Sequence, residues 1–221
     1  MQVKIAVYTV LFGDADNLIP VNPLHKHEAD FFLFTDLDIQ LQDRKVVRIK
    51  EKDTTNRRMS RRYKISVQNY LEDYDYWIYI DASIEMLISP KTAIHKYLKD
   101  HDIAALKHPW RDCVYSEMKE CLRLGVADWD LSHEQAKYYR RLRYPEHHGL
   151  SENGVLLRRN TPEVVKFNEF WQFVYDGYAE RDQFSFNFCA WKLMINYKEI
   201  IDNIRSTDAK EFKYHPHLKT V

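Results

Sequence analysis

The stretch "NRRMSRRYK", residues 56–64, places four arginines and one lysine in nine positions with no acid among them. The chain as a whole balances 33 Lys and Arg against 33 Asp and Glu, so the surplus is local. Guanidinium forks grip phosphate oxygens two at a time, and an ammonium adds a compact point charge. Read as a helix, the stretch puts Arg57, Arg61, Lys64 and Gln68 on one stripe, since positions three and four apart are neighbours. Met59, Tyr63 and Tyr70 fall towards a core, and Thr55 or Asn56 can cap the start. A helix N-terminus lined with arginines suits a pyrophosphate. The plainer reading is a solvated basic face answered by the acidic run "LEDYD" just beyond it.

Four other places carry chemistry-bearing residues. Asp81 ends the apolar strand "YWIYID", where a carboxylate can hold a divalent cation beside a phosphate. Strand alternation would put Asp81, Ser83 and Glu85 on one face, although Asp81 can also serve simply as a turn cap. "KHPWRDCVYSEMKEC" offers His108 and Arg111 in a loop and Asp112 as a helix cap that Arg111 can pair with. Glu152 precedes the strand "NGVLLRRN", and Arg181, Asp182 and Gln183 stand where the most apolar helix begins; the plain role of Asp182 there is a cap paired with Arg181. "YHPH" supplies His215 and His217, a His-X-His pattern that can ligate metal or sit idle in a tail.

The elements that must position these groups alternate. Strands are expected at 4–12, 30–36, 45–49, 76–81, 102–107 and 153–160. Helices are expected at 57–71, 89–99 and 112–124, within 128–148, from a Thr161 cap through Pro162 to a stop at Gly177, and over 182–193. The tail "EFKYHPHLKTV" reads as irregular. This is an α/β pattern with a mostly parallel central sheet in one domain spanning 1–221. Such sheets bind ligands at the carboxyl ends of their strands. Polar groups follow four of those ends: Gly13 to Asp16, Thr35 with Asp36, Asp81 with Ser83, and Lys107 with His108.

Composition excludes several classes. A 45% hydrophobic content with 15 Tyr and 11 Phe argues against disorder. Zero net charge gives no global field for nucleic acid or anionic lipid, so no nucleic-acid partner is expected. The three cysteines, Cys113, Cys121 and Cys189, match no metal spacing and are expected as buried free thiols. No apolar run is long enough to span a membrane and no signal peptide is evident, which places the chain in the cytoplasm and leaves peripheral membrane contact open. Gly-X-Gly-X-X-Gly, P-loop, Gly-X-Ser-X-Gly and His-Glu-X-X-His patterns are missing from the sequence.

The ordered set "VYTVLFGDADNL", "FTD", "NRRMSRRYK", "YIDASIEM", "HPWRDCVYSEM", "GLSENGVLLRRN" and "RDQFSFN" resembles the TOD/MUCI-type glycosyltransferase-like domain, related to GT-A sugar-nucleotide transferases. The resemblance spans roughly residues 3–190. It implies a GT-A-like fold and a nucleotide-sugar donor. It also implies that Tyr8, Phe12, Gly13 and Asp36 surround the base and ribose, that Arg57, Arg61 and Lys64 reach the diphosphate, and that Asp81 stands at the metal-binding Asp-X-Asp position. The chain reads Asp-Ala-Ser there, so Mn²⁺ or Mg²⁺ would rest on Asp81, Ser83 and His215.

The expected function is transfer of a sugar from a nucleotide-diphosphate sugar to a glycan or lipid-linked acceptor. Glu152 or Asp182 would act as base, with Gln183, His108 and Arg111 nearby. A metal-assisted hydrolase using Asp81, His108 and Glu152 is the second reading, and a nucleic-acid binder using the basic run is the third.

Overall fold

The computed structural model describes residues 3–13 and 17–216. Its strands are β1 (Ile5–Leu11), β2 (Asp30–Thr35), β3 (Lys45–Arg48), β4 (Tyr76–Ile80), β5 (Ile84–Met86), β6 (Ile103–Lys107), β7 (Ser151–Arg159), β8 (Lys198–Ile200) and β9 (Phe212–Tyr214). Its helices are α1 (Asn56–Ile65), α2 (Pro90–Tyr97), α3 (Val114–Arg123), α4 (Trp129–Arg141), α5 (Pro162–Asp176) and α6 (Gln183–Lys192).

A seven-stranded sheet runs β3-β2-β1-β4-β7-β6-β8. All its pairings are parallel except those of β7, which is antiparallel to both β4 and β6. Strands buried on both faces read as continuous apolar runs, and period-two alternation then sorts them between two cores. Tyr8, Trp77, Tyr79, Ala105 and Leu156 enter the core shared with α1, α3, α5 and α6. Val7, Ile78, Ile80, Ala104 and Leu157 enter the opposite one, closed by α2 and the small β5–β9 sheet.

The antiparallel course of β7 matters for function. It brings the strand's amino end, Ser151 and Glu152, to the edge where β1 and β4 end. The register between β6 and β7 shifts there, between Ala105 and Lys107. Asn153 takes up the bulge at φ +62°, a conformation its short polar side chain tolerates. Asn187 of α6 accepts from the backbone N–H (2.9 Å) and the hydroxyl (3.0 Å) of Ser151, tying the bulge to the helix behind it.

Two expectations are corrected. The helix expected at 57–71 ends at Ile65 and is followed by a single 3₁₀ turn, Val67–Asn69. Arg158 of β7, wholly buried, takes the carbonyls that a longer helix would have used. It donates to Lys64 O (2.7 Å), Ile65 O (2.8 Å) and the Asn168 side chain (2.6 Å), and also to the Tyr8 hydroxyl. Burial lowers its pKa, and no carboxylate is among its hydrogen-bond partners. The second correction is the tail. Residues 212–214 pair with β5 through Ile84↔Tyr214 and Met86↔Phe212. Three-residue strands are too short for periodicity to announce them.

Since Arg158 satisfies several buried acceptors at once, Arg158→Leu is expected to cost at least about 3 kcal/mol of unfolding free energy. Urea denaturation measures this. A loss below about 1 kcal/mol would show that the guanidinium does not hold the end of α1.

Candidate functional site

A cleft of about 440 Å³ opens at the carboxyl ends of β1 and β4. The end of β1, the middle and end of α1, the turn after β4, Glu152 of β7 and the start of α6 line it, with Ile204, Arg205 and Tyr214. Eight of the expected site residues meet there: Phe12, Arg61, Lys64, Asp81, Ser83, Glu152, Asp182 and Gln183. A larger depression of about 950 Å³ lies at the amino ends of β1 and β4, the wrong end of a parallel sheet for a ligand site.

The cleft is organised by Asp182. Its carboxylate is 5% exposed; Arg61 Nε donates to one oxygen (3.0 Å) and Lys64 Nζ lies 2.6 Å from the other. Burial alone would raise the Asp182 carboxyl, but Lys64 and Arg61 outweigh it and hold the group well below the usual carboxylate range. Arg61 and Lys64 can share one acid because three positions separate them on a helix. Lys64 is 2% exposed and lies 4.6 Å from the Tyr79 ring centroid, so its charge is steadied by a π face as well. Arg61 stays 29% exposed, and its two terminal nitrogens make no hydrogen bond among the described residues. Asp182 therefore pairs with α1; it makes no side-chain cap to α6, and Arg181 donates to Gln183 (3.0 Å) instead.

The rest of the basic run is occupied elsewhere. Arg58 pairs with Glu180 (2.8 Å) and reaches the carbonyls of Asp176 and Tyr178, while Arg62 pairs with Asp53 (2.8 Å). Arg57 is exposed and does not line the cleft. Thr55 caps the helix at Asn56, which leaves Arg57 in the first turn on the solvent side. The helix N-terminus, the expected place for a pyrophosphate, thus brings no cation to the cleft: Arg61 and Lys64, which line it, come from the middle and end of α1.

Among the residues expected around a nucleoside, Phe12 lines the cleft and stacks on Tyr63 with centroids 5.7 Å apart. Gly13 donates its N–H to Asp36 (2.8 Å), and Asp36 pairs with Lys52 (2.7 Å). Gly13 sits at φ +76°, and a Cβ there would lie 2.8 Å from Asn56 Nδ2, so glycine is required. Tyr8 is a correction: it is fully buried, its hydroxyl donates to Lys64 O (2.7 Å), and burial pushes its pKa up to about 12. It supports the helix that carries Lys64 and has no surface for a ligand.

His108 and Arg111 form a separate cluster outside the cleft wall. His108 Nδ1 accepts from the backbone of Trp110 (3.3 Å) and Arg111 (3.0 Å), and its Nε2 lies 3.5 Å from buried Glu117. Burial lowers the His108 pKa. Arg111 pairs with Glu117 rather than Asp112, which meets His147 (2.8 Å) and caps nothing. The three cysteines are buried and free, as expected.

Of the residues expected to hold a metal, Ser83 and His215 meet through the backbone, the His215 N–H donating to the Ser83 carbonyl (2.8 Å). Asp81 accepts from the Tyr79 hydroxyl, and its other oxygen lies over Gly154 of β7, where a Cβ would stand only 3.1 Å away. Ser83 lines the cleft, but its expected partner Glu85 pairs with His215 Nε2 (2.8 Å), and His215 is absent from the cleft wall. The chain turns after Ile80, so the alternation that would have aligned Asp81, Ser83 and Glu85 is broken. No group of three or more His, Cys, Asp or Glu suited to a metal occurs among the described residues. Asp14, Asp16 and His217 lie outside those residues.

Sequence reasoning missed Arg205 and Arg158. Arg205 forks onto Glu152, one contact at 3.0 Å, and lines the cleft. It stands in an irregular segment with no motif around it. Arg158 stands near the end of a strand with nothing in its spacing to single it out, and its zero exposure reveals its role.

Asp182 has a folded pKa below its unfolded value. Its pairing therefore stabilises fully above the unfolded pKa near 4 and is lost as pH falls through the folded value. Asp182→Asn should cost about 3–5 kcal/mol at pH 7, by leaving a buried cation unpaired. Urea unfolding from pH 7 to pH 2.5 should show this deficit narrowing below roughly pH 4. A deficit that stays constant with pH would contradict the pairing.

Residues 41–215 match the family model described as "TOD1/MUCI70, glycosyltransferase-like domain". No curated protein matches the sequence. Among solved structures, the apo structure of the WbbM bifunctional glycosyltransferase aligns over 91% of this chain at a TM-score of 0.54 and 10% identity, a likeness of fold alone. This chain spans 39% of that one. No helix among the described residues is long and apolar enough to cross a membrane. On a match covering most of its length, the chain belongs to the TOD1/MUCI70 glycosyltransferase-like domain family.

Proposed function

We propose that the protein is a glycosyltransferase that moves a sugar from a nucleotide-diphosphate sugar to a glycan or lipid-linked acceptor. The observation that carries this reading is the meeting of Arg61 and Lys64 on one buried carboxylate, at the carboxyl ends of β1 and β4. Glycosyl transfer builds negative charge on a departing diphosphate, and fixed cations in a sheltered cleft stabilise that charge without reorganising. The cleft wall holds Arg61, Lys64, Arg181 and Arg205 against Asp81, Glu152 and Asp182, a surplus of one positive charge. Phe12 and the Gly13–Asp36–Lys52 cluster flank it and suit the nucleoside end.

Roles divide by environment. Asp182 is tied between two cations and is a poor proton acceptor, so it acts as an electrostatic anchor. Glu152 meets one cation, Arg205, where Asp182 meets two, and is the carboxylate left to take a proton from an acceptor hydroxyl in an inverting reaction.

The alternatives lose support. A hydrolase using Asp81, His108 and Glu152 would need His108 at the water, yet it is buried outside the cleft wall with its Nδ1 already accepting. A nucleic-acid face would need a free basic run, yet four of its five cations are paired with carboxylates.

Thermal unfolding with UDP, GDP, CDP and ADP, with and without Mn²⁺, tests the proposal. At least one diphosphate at a hundred times its Kd should raise Tm by roughly 5–10 °C. Arg61→Ala should cut that shift by about half or more while Arg57→Ala leaves Kd within about twofold, a contrast of at least ~1.5 kcal/mol typical of a lost charge-assisted contact. No shift with any nucleotide would remove the reading.

A further inference from the structure

The cleft has a second end. Arg205, whose guanidinium forks onto Glu152, lies 5.3 Å from the ring centroid of Trp110 and 5.1 Å from that of Tyr214. Glu152, Arg205 and Tyr214 belong to the cleft wall, so Trp110 stands directly beside it. Its side chain is unusual in being both exposed and held. Trp110 is 68% exposed. Its loop is nevertheless pinned: the His108 ring accepts from the backbone N–H groups of Trp110 and Arg111, and meets the indole edge-on at 5.8 Å. Arg111 anchors the loop to buried Glu117. An exposed indole on a mobile loop would need no further account. One on a fixed loop, resting on an arginine that is itself held by a carboxylate, is a prepared surface. Trp129, the other strongly exposed indole, stacks instead on His133 of its own helix, with centroids 4.2 Å apart.

We propose that Trp110 is the stacking platform for a saccharide acceptor, with the Glu152–Arg205 pair beside it taking the hydroxyls of the same sugar. A pyranose presents a face of C–H groups carrying partial positive charge, which matches the negative face of an indole, and an edge of hydroxyls that need donors and acceptors. Trp110 supplies the first requirement; Glu152 and Arg205 supply the second at the adjoining wall. An alkyl chain or a polyprenyl tail would leave that carboxylate and guanidinium unused, so the acceptor group recognised here is the sugar. The inference deepens the transferase reading and rests on it for the word acceptor. The His108–Arg111–Glu117 cluster then has a role outside catalysis: it positions the loop.

Direct binding tests this without requiring turnover. The probes are tetrasaccharides of hexoses, N-acetylhexosamines and hexuronic acids, titrated calorimetrically into the whole protein for affinity, with the indole N–H resonances of the parent followed by NMR. At least one should shift the Trp110 resonance. Trp110→Ala should then bind roughly tenfold more weakly, and Trp110→Phe, which keeps an aromatic face, within about threefold. Because Trp110 is exposed, neither change threatens the fold, and circular dichroism checks this. A tetrasaccharide that binds Trp110→Ala as tightly as the parent overturns the inference, as does a full panel that moves no indole signal. The nucleotide shift, read on the same samples, reports the donor reading separately: its loss with saccharide binding intact would sink that reading and leave a saccharide-binding site.

Discussion

One buried carboxylate, Asp182, sets the arrangement on which the site depends. It joins the start of α6 to α1 through Arg61 and Lys64 and so fixes both cations against the ends of the parallel strands. Taking three charges out of water is costly, and the pairing offsets that cost only with close geometry. The contacts at 2.6 and 3.0 Å are close, and the one from Arg61 is a directed hydrogen bond. The arrangement is also electrostatically unequal. Arg61 keeps two nitrogens without a partner among the described residues, so an incoming anion can engage it without first breaking the pair.

Behind this triad lies a second cationic support. Arg158 takes the carbonyls of Lys64 and Ile65, ends α1 there and braces it through Tyr8 and Asn168. A positive group at a helix C-terminus is favoured by the helix dipole. Lys64 is thus fixed at both its backbone and its side chain. On the proposed reading this rigidity serves the chemistry, because preorganised charge is what stabilises a departing anion.

Much of this architecture was legible in the sequence. The apolar runs of β1, β2 and β4, and the Thr161-Pro162 start of α5, announce themselves by composition and capping chemistry. Helical spacing in the basic run put Arg61 and Lys64 on one face, and both line the cleft. It misled at Arg57, since stripe geometry does not tell which turn of a helix leaves the protein. It misled at Asp182 too, where local capping seemed sufficient and the true partners lie more than a hundred residues away. Tyr8 and His108 show the same limit: their residue types suit a site, and only burial shows that they serve as supports. The break in alternation after Ile80 separated Asp81 from Glu85 and His215, which no periodicity could foresee.

The central claim is that the α1 cations anchored by Asp182 receive a diphosphate at the carboxyl edge of the sheet. A crystal structure of the protein with the nucleoside diphosphate that stabilises it most is the direct measurement. The account predicts phosphate oxygens within hydrogen-bonding distance of Arg61 and Lys64, with the base towards Phe12. Phosphates bound elsewhere, as in the depression beside Lys4, Lys26 and Arg159 at the amino ends of the strands, would contradict it.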